Sequence, residues 1–206
     1  WVNADLQGAY LYNVNMANSD FTSSNLRSAN LTLGNLTRID LSKSSLQNST
    51  FENATMVGAS LRLANASQAN FKSANLEYSE LSGAIMTTAD FSNAVLDYSF
   101  ASEAYLVSVN MTGASLKNID LQGANLEGAN LSGADLSNAN LKMANLRNAN
   151  LSGANLSKAT LNFANLISAN LDGAILKNAV IIGANLSQAN LNRADFLNAK
   201  MSSLID

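Results

Sequence analysis

The 206-residue chain contains no proline, no cysteine and no histidine. Without cysteine it can form neither a disulfide nor a thiolate metal site. Without histidine it lacks the commonest general base and the commonest metal ligand of proteins. Since proline removes a backbone hydrogen-bond donor, its absence favours a chain that is hydrogen-bonded along its whole length. No apolar stretch approaches the roughly 18 residues that a transmembrane helix requires.

Charged residues are scarce and nearly balanced, with 12 Lys or Arg against 15 Asp or Glu and a net charge of −3. No basic stripe is present, so we expect no direct binding of nucleic acid. We see no linker and no break in composition, and therefore expect one domain over residues 1–206. The repeat described below is in register from Trp1, and its last residues, 201–206, look unfinished. This predicts a domain that is part of a longer chain or lacks its terminal caps.

A large apolar residue stands at every fifth position from Leu6 to Met201, with Ala66 and Ala101 as exceptions that predict a small void or a local narrowing. The residue two places earlier is small, usually Ala, and the residue one place earlier is most often Asn or Asp, as in Ala124-Asn125-Leu126. We number this repeat, A-(N/D)-L-x-x, from position 1 to position 5.

A five-residue period fits neither a helix nor a flat strand. On a helix successive leucines would step round by about 140°, and on a strand they would alternate between faces. The pattern therefore indicates a chain that turns by a constant angle every five residues. Positions 1 and 3 then face inward, and stacked coils lie about 4.8 Å apart.

On these residues the chain resembles the pentapeptide repeat family over essentially its whole length. The resemblance implies an all-β fold, a right-handed quadrilateral β-helix with four five-residue sides per coil. It implies about ten coils and a rod roughly 50 Å long. Aromatic residues recur at the expected 20-residue interval, at Phe51, Phe71 and Phe91 and again at Tyr78 and Tyr98.

Catalytic chemistry finds little support in the residues. Asp20 and Asp40 are expected one coil apart, where a carboxylate pair can do acid–base work, but a narrow convex rod offers no cleft that excludes water. Glycines such as Gly123 and Gly128 recur because position 5 favours small residues, and they form no phosphate-binding loop. We expect a non-enzymatic protein with no catalytic, metal-binding or cofactor-binding residues and no cofactor.

An apolar cluster on the expected surface is the candidate partner-binding site. Apolar residues stand where Asn or Asp is usual, and further apolar residues lie close by in the coil. Exposed aromatic patches of this kind favour a protein partner, whereas scattered surface hydrophobes are ordinary. We interpret the chain as a rigid scaffold or interaction module for a protein partner. The cluster consists of Tyr78, Ile85, Val95, Tyr98, Phe100, Tyr105 and Val107.

Two alternatives come from the family resemblance and from the start of the chain. Some family members bind type II topoisomerases, such as gyrase, by mimicking duplex DNA, and one face here carries an acidic column. A mimic of this length would need about thirty negative charges, and we expect Lys43, Arg62 and Lys142 to interrupt the same face. The second alternative is a targeting or spacer module of a larger protein. The candidate acidic face consists of Asp20, Asp40, Glu80 and Asp120.

One end of the rod carries a second, weaker group of apolar residues. An uncovered solenoid end exposes backbone and core to solvent. The group therefore predicts a possible homodimer through that end. The candidate association end consists of Ile182, Leu197, Leu204 and Ile205.

Overall fold

The computed structural model describes residues 1–201, and these wind into a coil of constant pitch. Every position-2 residue from Asp5 to Val180 forms a parallel β-bridge with the residue twenty positions later. One coil therefore takes twenty residues and has four five-residue sides. Among the described residues there is no helix and no strand longer than a single bridge residue. The β structure is a stack of short parallel bridges, separated by turns.

Backbone hydrogen bonds join each coil to the next in one repeating pattern. In a typical repeat the Leu126 N–H donates to the Asn145 carbonyl at 2.7 Å, and the Asn145 N–H donates back to the Ala124 carbonyl at 2.9 Å. The Gly128 N–H donates to the following coil at 2.9 Å. The Ala129 N–H closes the turn onto Leu126 at 3.0 Å. Four of the five N–H groups of a repeat are used in this way, in agreement with the absence of proline.

The turn at each corner depends on the backbone conformation of position 5. Every position-5 residue from Asn3 to Asn198 has a positive φ, between 54° and 70°. This is the third residue of a type II turn, for which glycine and asparagine are favoured. The smallness that we expected at position 5 is therefore not the reason for its glycines. Tyr78, Leu63 and Phe163 occupy the same position.

The core is a column of position-1 and position-3 side chains. Phe71 is fully buried between Phe51 and Phe91, with ring centroids 4.8 and 4.6 Å away and the rings nearly parallel. The two alanines that replace a large residue, Ala66 and Ala101, are buried as well. Residues of the first and last coils are only partly buried, because no neighbouring coil covers them within residues 1–201.

Four columns of position-2 residues define the four faces of the rod, in the order A, B, C, D around each coil. Faces B and D are therefore on opposite sides, as are faces A and C. The corners, formed by positions 4 and 5, are named by the two faces that they join. The residues of each face follow one another in steps of twenty. Face A carries residues 20 to 200, face B residues 5 to 185, face C residues 10 to 190 and face D residues 15 to 195.

Candidate functional site

The position-2 side chain has a structural task that explains why it is usually Asn or Asp. It accepts the N–H of position 4, the one backbone donor of the repeat without a carbonyl partner. The Ser92 N–H donates to Asp90 Oδ1 at 2.8 Å, and the Ser152 N–H donates to Asn150 Oδ1 at 3.2 Å. Each Asn, Asp or Glu at position 2 between Asp5 and Asp195 makes this cap. A side chain that cannot accept the bond therefore costs stability.

Four position-2 residues near the middle of the rod are apolar and give up this cap. Within residues 1–201 the position-4 N–H groups that follow them have no hydrogen-bond acceptor. Three of these side chains are substantially exposed instead, Phe100 by 52%, Tyr105 by 54% and Ile85 by 40%. The four residues are Ile85, Val95, Phe100 and Tyr105, and the uncapped N–H groups belong to Thr87, Asp97, Ser102 and Val107.

The structure divides the candidate partner-binding residues among several faces. Phe100 lies on face A, and Tyr78 and Tyr98 stack at the adjoining corner DA, with ring centroids 5.2 Å apart. Both tyrosines are exposed, by 58% and 47%. Ile85 and Tyr105 are bridge partners on face B. These five residues run from corner DA across face A to face B, and we call them the aromatic band.

Two of the candidate residues lie outside this band. Val95 is on face D, opposite to face B, and Val107 is at corner BC. Both are only half-buried. The aromatic band as defined therefore includes neither side chain.

The four acidic residues do share face A, but the face is not a continuous acidic column. Ser60 and Phe100 stand within it. The expected interruption by Lys43, Arg62 and Lys142 is wrong in detail, because these residues occupy positions 4 and 5 and lie at corner AB. The four acidic residues on face A are Asp20, Asp40, Glu80 and Asp120.

The carboxylates of face A are used as caps. Asp20 accepts the Thr22 hydroxyl at 2.7 Å and the Thr22 N–H at 2.9 Å. These hydrogen bonds, the hydroxyl first, hold the pKa of the Asp20 carboxyl below its ordinary value. Glu80 Oε1 accepts the Ser82 N–H at 2.8 Å. The acidic groups are therefore directed at their own turns.

The candidate association end is placed only in part. Ile182 and Leu197 are exposed at corners AB and DA of the last coils. They point sideways from the rod, and the end surface itself is formed by position-3 residues such as Leu191 and Met201. Leu204 and Ile205 lie outside the described residues.

A notch of about 170 Å³ at corner AB was missed by the sequence reasoning. It opens beside Gly83, between Phe100 on face A and Tyr105 on face B. A signal was present in the sequence, since Gly83 stands twenty residues after a large position-5 residue, Leu63. The notch is lined by Arg62, Leu63, Ser82, Gly83, Ser102 and Glu103.

The described residues also form a second cavity, which is mainly apolar. A cavity of about 380 Å³ at the first coil is lined mainly by Trp1, Leu6, Leu11, Met16 and Phe21. No group of three or more Asp or Glu side chains in residues 1–201 is placed to hold a metal ion. In the same range no helix has the length and apolarity to cross a bilayer.

Comparisons with known proteins agree with this geometry. The family model described as "Pentapeptide repeats (8 copies)" matches overlapping segments that run from residue 2 to residue 203. No curated protein matches. HetL from the cyanobacterium Nostoc sp. strain PCC 7120, a pentapeptide repeat protein involved in heterocyst differentiation regulation, is 28% identical. The match covers 98% of this chain and 91% of HetL, with a TM-score of 0.72.

Two further solved structures are similar to the chain. Rfr23 from the cyanobacterium Cyanothece 51142 is 25% identical over 72% of this chain and 91% of its own, with a TM-score of 0.42. QnrB1, a plasmid-mediated fluoroquinolone resistance protein, is 20% identical over 80% of this chain and 89% of its own, with a TM-score of 0.39. The resemblance seen in the sequence is confirmed by the family model and by HetL: the chain belongs to the pentapeptide repeat family, whose members fold as right-handed quadrilateral β-helices.

Proposed function

We propose that this chain is a rod of about ten coils that acts without catalysis, as a protein-interaction module whose aromatic band docks a protein partner. The observation that carries the proposal is the loss of the position-2 cap at Ile85, Phe100 and Tyr105 in favour of exposed apolar side chains. In residues 1–201 every Asn, Asp or Glu at position 2 makes the cap. Tyr10 and Ile175 are also exposed and lack it, but Ile85, Phe100 and Tyr105 are three such residues grouped in neighbouring coils.

The loss of the cap is costly for the fold itself. An intramolecular hydrogen bond contributes about 0.5–1.5 kcal/mol to stability, and rings that stay about half exposed gain only part of the stabilisation of full burial. Positions where a chain departs from its own structural rule without gain in stability are typical of functional sites. Aromatic residues are also the commonest anchors of protein interfaces. The aromatic band therefore supports a docking surface.

The relatives are compatible with this proposal. HetL is described as involved in the regulation of heterocyst differentiation. A solenoid offers an extended, rigid surface that is suited to binding a protein partner. For this chain we propose binding of a protein partner in a regulatory role.

The DNA-mimic alternative is less well supported. Ser60 and Phe100 break the acidic column of face A, and the chain has 15 acidic residues in all where a mimic would need about thirty negative charges. A supercoiling assay with purified gyrase tests this alternative, which predicts inhibition. The targeting or spacer alternative stays a prediction, and the full-length reading frame tests it.

The test of the proposed function uses a variant that repairs the structural rule. Phe100→Asn with Tyr105→Asn restores two caps and removes two exposed rings. In affinity capture from the native host we expect this variant to lose the protein that the wild type retains. Phe163→Asn is the control, because it removes a ring about three coils away that is even more exposed than Phe100 or Tyr105. Equal capture by the wild type and the double variant would refute the proposal.

A further inference from the structure

The notch at Gly83 is open because of a rule that governs the corners. A position-5 side chain leans toward the next coil, over the position-5 residue that lies twenty places further on. Leu63 leans over Gly83, where an added Cβ would stand 2.8 Å from Leu63 Cδ2. Glu103 leans over Gly123 in the same way, at 3.7 Å from its Cγ. Glu103 thus turns away from Gly83 and leaves a gap of about 170 Å³ between the two side chains.

The two charged residues at the ends of the notch have opposite signs. Arg62 stands beside Leu63, and Glu103 stands two coils further along the same corner. In the described part of the chain, neither side chain makes an ion pair or a hydrogen bond. Two coils correspond to roughly 10 Å, and the lean of Glu103 increases this separation. The notch therefore offers one unpaired cation and one unpaired anion on either side of a gap whose other lining residues are Leu63, Ser82, Gly83 and Ser102.

The walls and the floor of the notch suit a peptide segment. The notch is flanked on face A by Glu80 and Phe100 and on face B by Ile85 and Tyr105, of which the three apolar side chains are exposed. On the floor, the Ser102 N–H has no acceptor among the described residues, because Phe100 cannot cap it. A backbone carbonyl of a bound segment would satisfy that donor. The volume of about 170 Å³ is enough for one aliphatic side chain.

We propose, resting on the proposed function, that the notch receives an extended segment of the protein partner. The segment has an apolar residue in the notch, an acid two residues to one side that pairs with Arg62, and a base two residues to the other side that pairs with Glu103. Alternate residues of an extended chain point to the same side, and the first and fifth residues are about 13 Å apart. That length matches the separation of the two charges.

The probes for this proposal are synthetic peptides with a serine on either side of a central leucine. One carries Glu and Lys at the outer positions, and the others carry two Glu, two Lys or two Gln. In fluorescence-polarisation titrations at low ionic strength we expect wild-type protein to bind the Glu/Lys peptide about three- to tenfold more tightly than the Gln/Gln peptide. The direction of the peptide along the corner does not affect this comparison.

Charge variants make the test specific. Arg62→Glu leaves two anions at the notch and should shift the preference to the Lys/Lys peptide. Glu103→Lys leaves two cations and should shift it to the Glu/Glu peptide. Gly83→Asn, which fills the notch with a residue that tolerates positive φ, should abolish binding. Gly113→Asn is the matched control that should bind normally, because an added Cβ there also stands 2.8 Å from the preceding position-5 side chain, Asn93, at a corner away from the notch.

The outcomes separate this inference from the proposed function. Absence of binding to every peptide, or equal binding of all four, would overturn the notch proposal. Partner capture that still depends on Phe100 and Tyr105 would leave the proposed function standing in that case. Conversely, peptide preferences that follow the charge variants, with capture indifferent to the double variant, would support the notch and refute the docking role of the aromatic band.

Discussion

The ring of Phe163 lies over Gly183 in the next coil, so closely that a Cβ on Gly183 would stand 2.6 Å from the ring. Asn93 and Gly113 are related in the same way, at 2.8 Å. A position-5 residue is therefore constrained by the residue twenty places before it more than by its neighbours in sequence.

This relationship predicts unequal effects of two glycine substitutions. Gly183→Ala and Gly153→Ala both place a side chain at a positive φ, which costs about 1–2 kcal/mol. Only Gly183→Ala also meets the Phe163 ring, and we expect it to lower the free energy of unfolding further, as measured in urea. Adding Phe163→Gly, which removes the side chain over Gly183, should cancel the difference, because glycines that follow a glycine twenty residues earlier, such as Gly153, have nothing within 4 Å of an added Cβ. Equal losses at the two glycines would contradict the packing seen here.

The hydrogen bonds of Asn150 allow a prediction of how much the polar columns on the faces contribute to the free energy of unfolding. Its amide donates to Asn130 Oδ1 at 3.2 Å, and its oxygen accepts from the Ser152 N–H and from the Asn170 amide. Asn150→Ala removes all three bonds, and we expect a loss of about 1–2 kcal/mol in urea unfolding. Asn150→Asp keeps the cap and should lose less. A larger loss for Asn150→Asp would show that the cap is unimportant.

Phe71 predicts the contribution of the buried aromatic stack. Phe71→Ala should cost about 3–5 kcal/mol, because a fully buried ring is replaced by a cavity inside a column that cannot collapse sideways. Phe100→Ala, which removes an exposed ring, should change stability by less than about 0.5 kcal/mol. Urea unfolding followed by circular dichroism measures both. Similar losses would contradict the assignment of inner and outer residues.

Asp20 predicts a pH dependence with a definite sign. Its pKa lies below the ordinary 3.8, chiefly because the Thr22 hydroxyl donates to the carboxylate. The charged form thus stabilises the fold above about pH 4, and this contribution is lost as the pH falls through the lowered pKa. In ¹³C NMR titrations, Thr22→Val should raise the Asp20 pKa toward 3.8. An unchanged pKa would assign the shift to the Thr22 N–H alone.

Much of the fold was predictable from one periodicity. The five-residue spacing of Leu126 and its equivalents separates inner from outer positions without ambiguity. The 20-residue recurrence of Phe51, Phe71 and Phe91 favoured a 20-residue coil, and in the structure these three rings stack. The inner positions and the length of the coil could be predicted because each is visible as the regular spacing of one kind of residue along the sequence.

The candidate site was less predictable, because it depends on contacts between coils. Sequence spacing alone grouped Val95 with Tyr105, although they lie on opposite faces. It attributed the position-5 glycines to size alone, whereas every position-5 residue has a positive φ and close contacts from the preceding coil add to this at Gly83, Gly113 and Gly183. The gap beside Gly83 requires knowledge of the direction in which Leu63 and Glu103 lean. Pattern reasoning supplies positions along the chain, but not side-chain directions.

The bridges between residues twenty places apart restrict how such a chain can change in length. Removal of five residues between Phe100 and Asp120 would keep leucines inside but turn everything downstream by a quarter revolution, so that these two residues would no longer share a face. Removal of twenty residues would shorten the rod by one layer and leave all columns aligned. Insertions and deletions can therefore rearrange the surface of this protein while its interior stays the same.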